Sequence, residues 1–334
     1  MPNKNFTVYQ LYFEGPLHIG DVRPDDYGNS EQFIRSDTMM AALTAMLGKR
    51  GMLSFDFNGL LPFQISSLFP FTTGEGGMPV YFFPKLMKRL PLTLEQPGLA
   101  KKMKKLKWLD KVYFEAQLGD IPLSGFGKNG DSDLQGDFCT AHPLGKDGFI
   151  QPQISQRVTI PRDRTFEADP TPFYMERLMF QENSGLYFLA DGEDLSQIDA
   201  ALDLLQYEGL GTDRSVGNGA FRYDKSTLSL RVPEGAKYST NLSLFCPESA
   251  GQLSEMLADK ASYDFLKRGG WITTEGFQSY RKKAIYMFTE GSVFNGSTTH
   301  AGRKAIDVTP NATFIGLPHK IWRNGHSIFL PVKM

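Results

Sequence analysis

Residues 193–221 read EDLSQIDAALDLLQYEGLGTDRSVGNGAF, and this stretch decides how the fold is interpreted. Its first part predicts an amphipathic helix over 193–207, because apolar residues recur at helical spacing and acidic residues occupy the first turn. The inner face of this helix holds Leu195, Ile198, Leu202 and Leu205. We expect the helix to end at Gly209, where a glycine-rich turn leads directly into a strand.

The turn, GLGTDRSVGNGAF (209–221), has a composition that favours binding of an anion. Glycines permit a positive φ and close approach of a ligand, and free N–H groups in such a turn form an anion-binding concavity. Arg214 adds a fork-shaped donor for phosphate, and Ser215 lies beside it. A turn that serves only tight packing has the same composition, so both interpretations stay open. The segment is neither a Walker loop, since GxxxxGK[ST] is absent, nor a dinucleotide loop, since it follows a helix.

Outward from this stretch, strands alternate with single helices. The predicted elements are strands over 6–13, 81–85, 112–118, 226–232 and 239–245, helices over 36–48 and 248–267, and a final hairpin turning at Asn324-Gly325. Ser36 is expected to cap its helix. This order predicts an α+β fold of two ferredoxin-like (βαββαβ, RRM-like) modules, residues 1–225 and 226–334.

A projecting β-hairpin arm is predicted at about 150–185, with strand-like flanks around the basic tip RVTIPRDRTF (157–166). Arms of this kind carry contacts more often than core packing, so arginines on the tip favour contact with nucleic acid or with a protein partner. The arm residues concerned are Arg157, Arg162 and Arg164, while Phe166 and Phe173 either stack on a base or pin the hairpin.

Composition excludes several classes of protein. The net charge of the 334 residues is −1, so RNA contact must use local patches instead of a global basic field. Two distant cysteines make neither a disulfide framework nor a zinc site, and the five histidines show no metal-ligand spacing. Residues 1–15 lack the layout of a secretory signal, and no apolar run reaches the roughly 20 residues of a membrane helix. We therefore expect a cytoplasmic protein without membrane contact.

Two further basic features have balanced interpretations. Lysines at 101–107 interleave with Met103, Leu106 and Trp108, which fits either a solvated face or one packed face and one face on phosphate or a partner. Near the end of the chain, Lys320, Arg323 and His326 flank the predicted final hairpin and face either RNA or a neighbouring protein.

Four segments together resemble one known family. They are PLHIG…SDTMMAAL (from residue 16), YFFPKLMKR (81–89), GLGTDRSVGNGAF (209–221) and EGSVF…GLPHKIWRNGHSIFLPV (from residue 290). The chain resembles the RAMP superfamily of CRISPR proteins. Within it, the chain is similar to the subunit that caps the crRNA 5′ end in type III-A (Csm) effectors. It departs from the usual GGKRSxGxG at Thr212 and Asp213, and from a usual YRYG at WRNG.

This resemblance implies a role for the chain. It implies two ferredoxin-like domains, a glycine-rich loop facing RNA and a hairpin thumb. It also implies contact with the 5′ handle of the crRNA, and docking on the large polymerase-nuclease subunit and the backbone RAMP subunit, with target RNA bound only indirectly. No cofactor, metal or catalytic residue is implied. The candidate RNA-binding residues are His18, Ser36, Lys49, Arg50, Lys85, Arg157, Arg162, Arg164, Gly209, Gly211, Arg214, Ser215, Gly217 and Gly219.

His18 carries the enzymatic alternative. Some RAMP proteins cut RNA with a histidine as general acid or base, and such chemistry needs a proton carrier with a pKa near the working pH. His18 lies in the loop after the first strand, where it could process precursor crRNA or simply hydrogen-bond to backbone. Since no second acid or base is recognisable beside it, the non-catalytic scaffold is favoured. A third interpretation keeps the fold but places the chain in another type III effector.

Overall fold

The computed structural model describes residues 1–20, 27–89, 99–122, 133–145, 148–159, 171–296, 302–311 and 316–334. Strands and helices are mixed in an α+β arrangement. The strands are β1 (Asn3–Phe13), β2 (Gln64–Ile65), β3 (Phe69–Thr73), β4 (Pro79–Pro84), β5 (Trp108–Asp110), β6 (Leu134–Gln135), β7 (Phe138–Cys139), β8 (Ile150–Thr159), β9 (Thr171–Phe180), β10 (Gly185–Asp191), β11 (Phe221–Arg231), β12 (Tyr238–Asn241), β13 (Phe265–Arg268), β14 (Ile285–Phe288), β15 (Val293–Asn295), β16 (Ile306–Asp307), β17 (Trp322–Arg323) and β18 (Phe329–Val332). The helices are α1 (Ser36–Lys49), α2 (Leu99–Lys105), α3 (Lys111–Gly119), α4 (Ser196–Glu208) and α5 (Ala250–Met256).

A nine-stranded sheet forms the centre of the molecule, in the order β11-β1-β10-β3-β4-β5-β7-β6, with β2 also paired to β10. Strand β1 lies between β11 and β10, and both pairings are antiparallel. Its register with β11 runs from Asn3 opposite Arg231 to Phe13 opposite Phe221. The strand that follows the glycine-rich turn is therefore a direct neighbour of the first strand.

Both faces of this sheet are covered. Because successive side chains of a strand point to opposite faces, Tyr9 and Leu11 of β1 pack with helices α1 and α4, while Phe6 and Val8 pack on the other side with β3, β4 and α3. The buried residues Ile198, Leu202 and Leu205 confirm the predicted inner face of α4.

The C-terminal part adds a three-stranded sheet, β15-β12-β18, and two short ribbons, β13-β14 and β16-β17. Leu242, Ile328, Leu330 and Val332 belong to the same buried cluster as Phe6 and Val8, so one continuous core joins the two parts. The predicted division at residues 225 and 226 stays a prediction, and this point lies inside β11.

The arm is an antiparallel hairpin of β8 and β9, with Ile150 opposite Phe180 and Thr159 opposite Thr171. Leu178 of β9 and Leu17 exchange backbone hydrogen bonds of 2.7 and 2.9 Å, which fixes the base of the arm beside the loop after β1. The tip residues Arg162, Arg164 and Phe166 lie outside the described residues.

Three local predictions are wrong. Residues 112–118 form helix α3 instead of a strand, because the Asp110 carboxylate accepts hydrogen bonds from the N–H groups of Val112 (2.9 Å) and Tyr113 (3.1 Å) and caps a helix. The predicted helix over 248–267 is limited to α5, since Phe265 begins a strand. The final hairpin does not form, because β17 pairs with β16 and β18 pairs with β12.

The described residues contain no helix long and apolar enough to cross a membrane. Within the same residues, no group of three or more His, Cys, Asp or Glu side chains is placed to hold a metal ion.

Candidate nucleic-acid interface

The glycine-rich turn begins where α4 ends. Gly209 has a φ of 76°, and its N–H donates to the carbonyl of Leu205 (2.8 Å). The turn closes on itself through a hydrogen bond from the Leu210 N–H to the Gly219 carbonyl (3.0 Å). Between these ends the chain makes one short 3-10 turn, Arg214–Val216.

The glycines serve two different purposes. A Cβ on Gly219 would lie 1.8 Å from the Leu210 carbonyl oxygen, and one on Gly211 would lie 2.4 Å from the His18 carbonyl oxygen. Gly217, with a φ of 86°, has no heavy atom within 4 Å of such a Cβ. The base of the turn therefore needs glycine for packing, whereas Gly217 needs it only for its backbone conformation.

The tip of the turn is open to solvent and rich in donors. Arg214, Ser215 and Gly217 are exposed. Among the described residues, no acceptor contacts the backbone N–H groups of Arg214 and Ser215. The buried side-chain amide nitrogen of Asn218 also has no partner there. The two exposed backbone N–H groups and the Arg214 side chain can together present several donors to one anion.

The turn is tied to the arm by an ion pair. Asp213, at a φ of 58°, accepts a hydrogen bond from the guanidinium of Arg157 on β8. Both side chains are about one-third exposed, so the pair lies at the surface beside the tip. The structure thus brings two predicted residues, Arg157 and Arg214, to one place. It adds Asp213, which the sequence marked only as a departure from the family pattern.

His18 lies beneath the same turn and is 1% exposed. Its ring Nδ1 is 2.6 Å from the carbonyl oxygen of Glu176 on the arm. Its own carbonyl accepts a hydrogen bond from the Thr212 N–H (3.1 Å). His18 therefore connects the loop after β1, the arm and the turn, and contacts them mainly through backbone.

The start of α1, a second predicted RNA contact, is covered by the C-terminal part. The Ser36 N–H donates to the Ser67 hydroxyl (2.9 Å), and the Ser36 hydroxyl accepts from the Leu244 N–H (3.0 Å). The prediction that Ser36 caps the helix is wrong, because Arg35 takes the cap position without a side-chain hydrogen bond. A phosphate has no access to this helix start without displacing those contacts.

Asp37, the next residue, is fully buried between two arginines. Arg268 donates to its carboxylate from Nε and Nη2, both at 2.9 Å, and Arg323 donates from Nη1. Burial alone would raise the pKa of Asp37, but the guanidinium groups of Arg268 and Arg323 outweigh it and lower the pKa to about 2. Arg323 is thus engaged in an internal ion pair, and its contact with RNA or a partner stays a prediction.

Comparisons with known proteins relate the whole chain to one group of proteins. Residues 234–332 match the family of the CRISPR Csm4 C-terminal domain. The chain is 28% identical to Csm4 of Streptococcus thermophilus over 46% of this chain and 50% of that protein, so the alignment spans half of the relative's length. It is 25% identical to Csm4 of Thermococcus onnurineus over 81% of this chain and 80% of that protein.

Solved structures show the same fold. One chain of the Csm3-Csm4 subcomplex in the type III-A CRISPR-Cas interference complex matches 99% of this chain and 100% of its own length, with a TM-score of 0.64 and 16% identity. A chain of the Csm1-Csm4 cassette in complex with cA4 matches 99% of both chains, with a TM-score of 0.58 and 19% identity. The chain is therefore similar to Csm4 proteins over most of its length.

Three other predicted cations make internal contacts. Lys49 donates to Glu208 (2.6 Å) and Arg50 donates to the Ala200 carbonyl (2.6 Å), which joins α1 to α4. Lys85 donates to the Met103 carbonyl (2.9 Å), and burial lowers its pKa. Their contact with RNA stays a prediction.

The remaining predicted residues are dispersed. Lys107, at the end of the lysine run, pairs with Asp137 (3.0 Å), and Lys320 pairs with Asp307 (3.3 Å). Burial, together with the charge of Lys304, lowers the pKa of His326 to about 4. Phe173 packs beside the ring of Tyr27 at a centroid distance of 5.5 Å. None of these side chains belongs to the turn around Arg214.

Proposed function

We propose that this chain is a non-catalytic RNA-binding subunit of a type III-A CRISPR effector complex in antiviral defence, and that it anchors the 5′ handle of the crRNA. The observation that carries the proposal is the exposed tip at Arg214–Gly217, where free backbone donors and a guanidinium meet beside Arg157 of the arm. The similarity of the chain to Csm4 proteins supports the same role.

The chemistry of the tip fits a phosphate. The backbone N–H groups of Arg214 and Ser215 donate to no acceptor among the described residues. The Arg214 guanidinium adds a charge-assisted donor. Because RNA binding releases counterions from phosphates, such a contact makes the affinity depend on salt. The packed glycines at the base hold the tip in this conformation before RNA arrives.

We further infer that residues 1–225 form a ferredoxin-like module. The chain order β1-α1-β3-β10-α4-β11 and the spatial order β11-β1-β10-β3 support it. A second such module over 226–334 is proposed from the family resemblance. In this frame the glycine-rich turn connects the second helix of the first module to its last strand.

The proposed partners are the large polymerase-nuclease subunit and the backbone RAMP subunit. Related chains have been solved with Csm1 and with Csm3, which supports both contacts. Co-expression with the neighbouring CRISPR proteins should yield a complex containing the large subunit and a guide RNA. Native mass spectrometry of that complex identifies the sub-type. Elution as a free monomer without RNA in mild salt would contradict the proposal.

The proposed lack of catalysis is supported by His18, whose ring is buried and engaged with the Glu176 carbonyl. A general acid or base must reach the proton it transfers, and a ring under the turn has no open path to RNA. The purified chain should leave labelled repeat RNA intact with and without EDTA. RNA cleavage that disappears in His18→Ala would favour the processing endoribonuclease instead.

The decisive test of RNA anchoring is Arg214→Ala. We expect it to weaken binding of labelled 5′-handle RNA by about 1–3 kcal/mol and to flatten the salt dependence, with an unchanged melting temperature. The matched control is Arg222→Ala, an exposed arginine on β11 that lies over the Tyr12 ring. Equal affinities for the parent and Arg214→Ala would leave the turn a packing element only.

A further inference from the structure

A second exposed feature lies in the C-terminal part, at the ribbon formed by β13 and β14. We name residues 263–288 the C-terminal ribbon. Phe265 pairs with Phe288 and Arg268 pairs with Ile285 in antiparallel register. Beyond the strands, Trp271 and Arg281 form an isolated bridge, so the hairpin continues toward its tip. The two strands pair with no third strand except through a bridge from Phe245 to Phe288, as far as the structure describes them.

The two faces of the C-terminal ribbon differ sharply. On one face, Arg268 is bound to Asp37 at the start of α1, and Met287 is buried. The opposite face carries Phe265, Lys267 and Tyr286, which alternation along the paired strands places together. Phe265 is 54% exposed and Tyr286 is 62% exposed. Their rings meet edge to face at a centroid distance of 5.8 Å.

The charge of the C-terminal ribbon is opposite to that of the whole chain. Residues 263–288 contain five basic and two acidic residues, although the net charge of the chain is −1. Lys267, Arg281 and Lys283 are exposed, and no described carboxylate lies within ion-pair distance of them. Arg281 lies over the Trp271 ring at 4.4 Å. Exposed rings and unpaired cations therefore occupy the same element.

We propose that the outer face of the C-terminal ribbon is a second contact for single-stranded RNA, separate from the glycine-rich turn. Phe265 and Tyr286 offer rings on which a base can stack, and Lys267 beside them offers a charge to the following phosphate. A protein partner fits this face less well, because lysine is depleted in protein interfaces while aromatic residues are enriched. The clamp between Arg268 and Asp37 holds the ribbon so that this face stays outward.

The inference shares one requirement with the proposed function, namely that the chain binds RNA, but it concerns different residues. The probe is a labelled, unstructured single-stranded RNA of about 12 nucleotides, titrated by fluorescence anisotropy into the full chain. The test variants are Lys267→Ala and the double variant Phe265→Ala/Tyr286→Ala. Tyr207→Ala is the matched control, since Tyr207 is an exposed ring (80%) on α4 and is not part of the C-terminal ribbon.

We expect the double variant to weaken RNA binding about tenfold or more, because each lost stacking contact has an effect of that size. Lys267→Ala should reduce the slope of affinity against salt by about 0.7, the value for one phosphate of a single strand. Tyr207→Ala should change neither quantity. Far-UV circular dichroism and melting of each variant show whether the fold is kept.

Other outcomes separate the two proposals. Loss of affinity in Arg214→Ala with full affinity in the ribbon variants overturns the ribbon contact and leaves the proposed function standing. The reverse result confirms the ribbon and contradicts the turn, and a parent chain that binds no RNA overturns both. Unchanged RNA affinity together with reduced co-purification of the large subunit would show that the face binds protein, which also overturns the inference.

Discussion

The start of helix α1 and the glycine-rich turn carry similar polar groups, but other parts of the protein cover the first region and leave the second exposed. Each places backbone N–H groups close to arginine side chains, and each contains residues that the sequence predicts to contact RNA. At the helix start, Ser67 and Leu244 occupy the groups of Ser36, and two arginines close on Asp37. At the turn, the donors of Arg214 and Ser215 are unused by any described residue.

The difference shows that hydrogen-bond donors and cations form a binding surface only where they are not already engaged in hydrogen bonds or ion pairs within the protein. The deciding feature is the neighbouring carboxylate and its depth. Asp37 is buried and accepts hydrogen bonds from Arg268 and Arg323, which are 231 and 286 residues away in sequence. Asp213 is partly exposed and binds a single arginine at the edge of the tip. Neutralising Asp37 and neutralising Asp213 should therefore change the properties of the protein by very different amounts.

The largest effect is expected from Asp37→Asn. The substitution removes the carboxylate that Arg268 and Arg323 share at a buried site, which should cost about 3–5 kcal/mol of folding free energy. Urea unfolding followed by circular dichroism measures the loss. The matched control is Asp259→Asn, which breaks the exposed pair with Lys237 (2.9 Å) and should leave the midpoint nearly unchanged. Equal midpoints for both variants would show that the closed helix start does not depend on the carboxylate.

The next largest effect is a difference in folding stability between alanine substitutions at the base of the turn and at its tip. In Gly219→Ala the new Cβ meets the Leu210 carbonyl at 1.8 Å and φ is 73°, so strain and displacement should cost about 2–4 kcal/mol. Gly217→Ala meets no atom and should cost only about 1 kcal/mol for its positive φ. Melting temperatures of the two variants test the ranking. A Gly217 variant that is as unstable as the Gly219 variant would mean that the tip, too, is packed.

Acid should weaken the helix start selectively. The pKa of Asp37 is lowered to about 2 in the folded chain, compared with about 3.9 for an unfolded aspartate. The carboxylate therefore stabilises the fold above pH 4, and this contribution is lost as the pH falls from about 4 toward 2, by about 2–3 kcal/mol. Urea midpoints of the parent across this range should fall more steeply than those of Asp37→Asn. Parallel pH profiles would contradict the assignment.

Local sequence signals were sufficient for the region around the turn. Helix α4 and its inner face follow from spacing within one short segment, and the structure has them. The strand predicted at 226–232 is present, but it begins earlier, at Phe221. Residues 112–118 show the limit of such signals: their β-branched and aromatic residues suit a strand, but the Asp110 side chain caps a helix there. A capping aspartate just before the run was the signal that could have corrected it.

Pairings between distant residues could not be read from the sequence. Nothing near Asp37 indicates that Arg268 and Arg323 will reach it, because their proximity depends on how the C-terminal part packs on the first sheet. The same holds for Arg157 and Asp213, which are 56 residues apart. The two candidate regions therefore looked alike in sequence, and only packing distinguishes the covered helix start from the open tip.

The smallest expected effect concerns the edge of the tip and comes from Asp213→Asn. Asparagine tolerates the φ of 58° as well as aspartate does, so the backbone of the turn should persist. The change removes a negative charge beside the proposed phosphate site and releases Arg157, so RNA affinity should rise roughly two- to fivefold, the scale of an exposed charge interaction. Anisotropy titrations at several salt concentrations should show a steeper dependence, because an additional cation faces RNA. The double variant Arg157→Ala/Asp213→Asn separates two causes of a higher RNA affinity. If the higher affinity persists in the double variant, it comes from the lost repulsion between Asp213 and phosphate. If it disappears, Arg157 contacts RNA once it is released from Asp213. A weaker affinity in Asp213→Asn would instead mean that the ion pair holds the turn in its binding conformation, so that the exposed carboxylate, like the buried one, has a structural role.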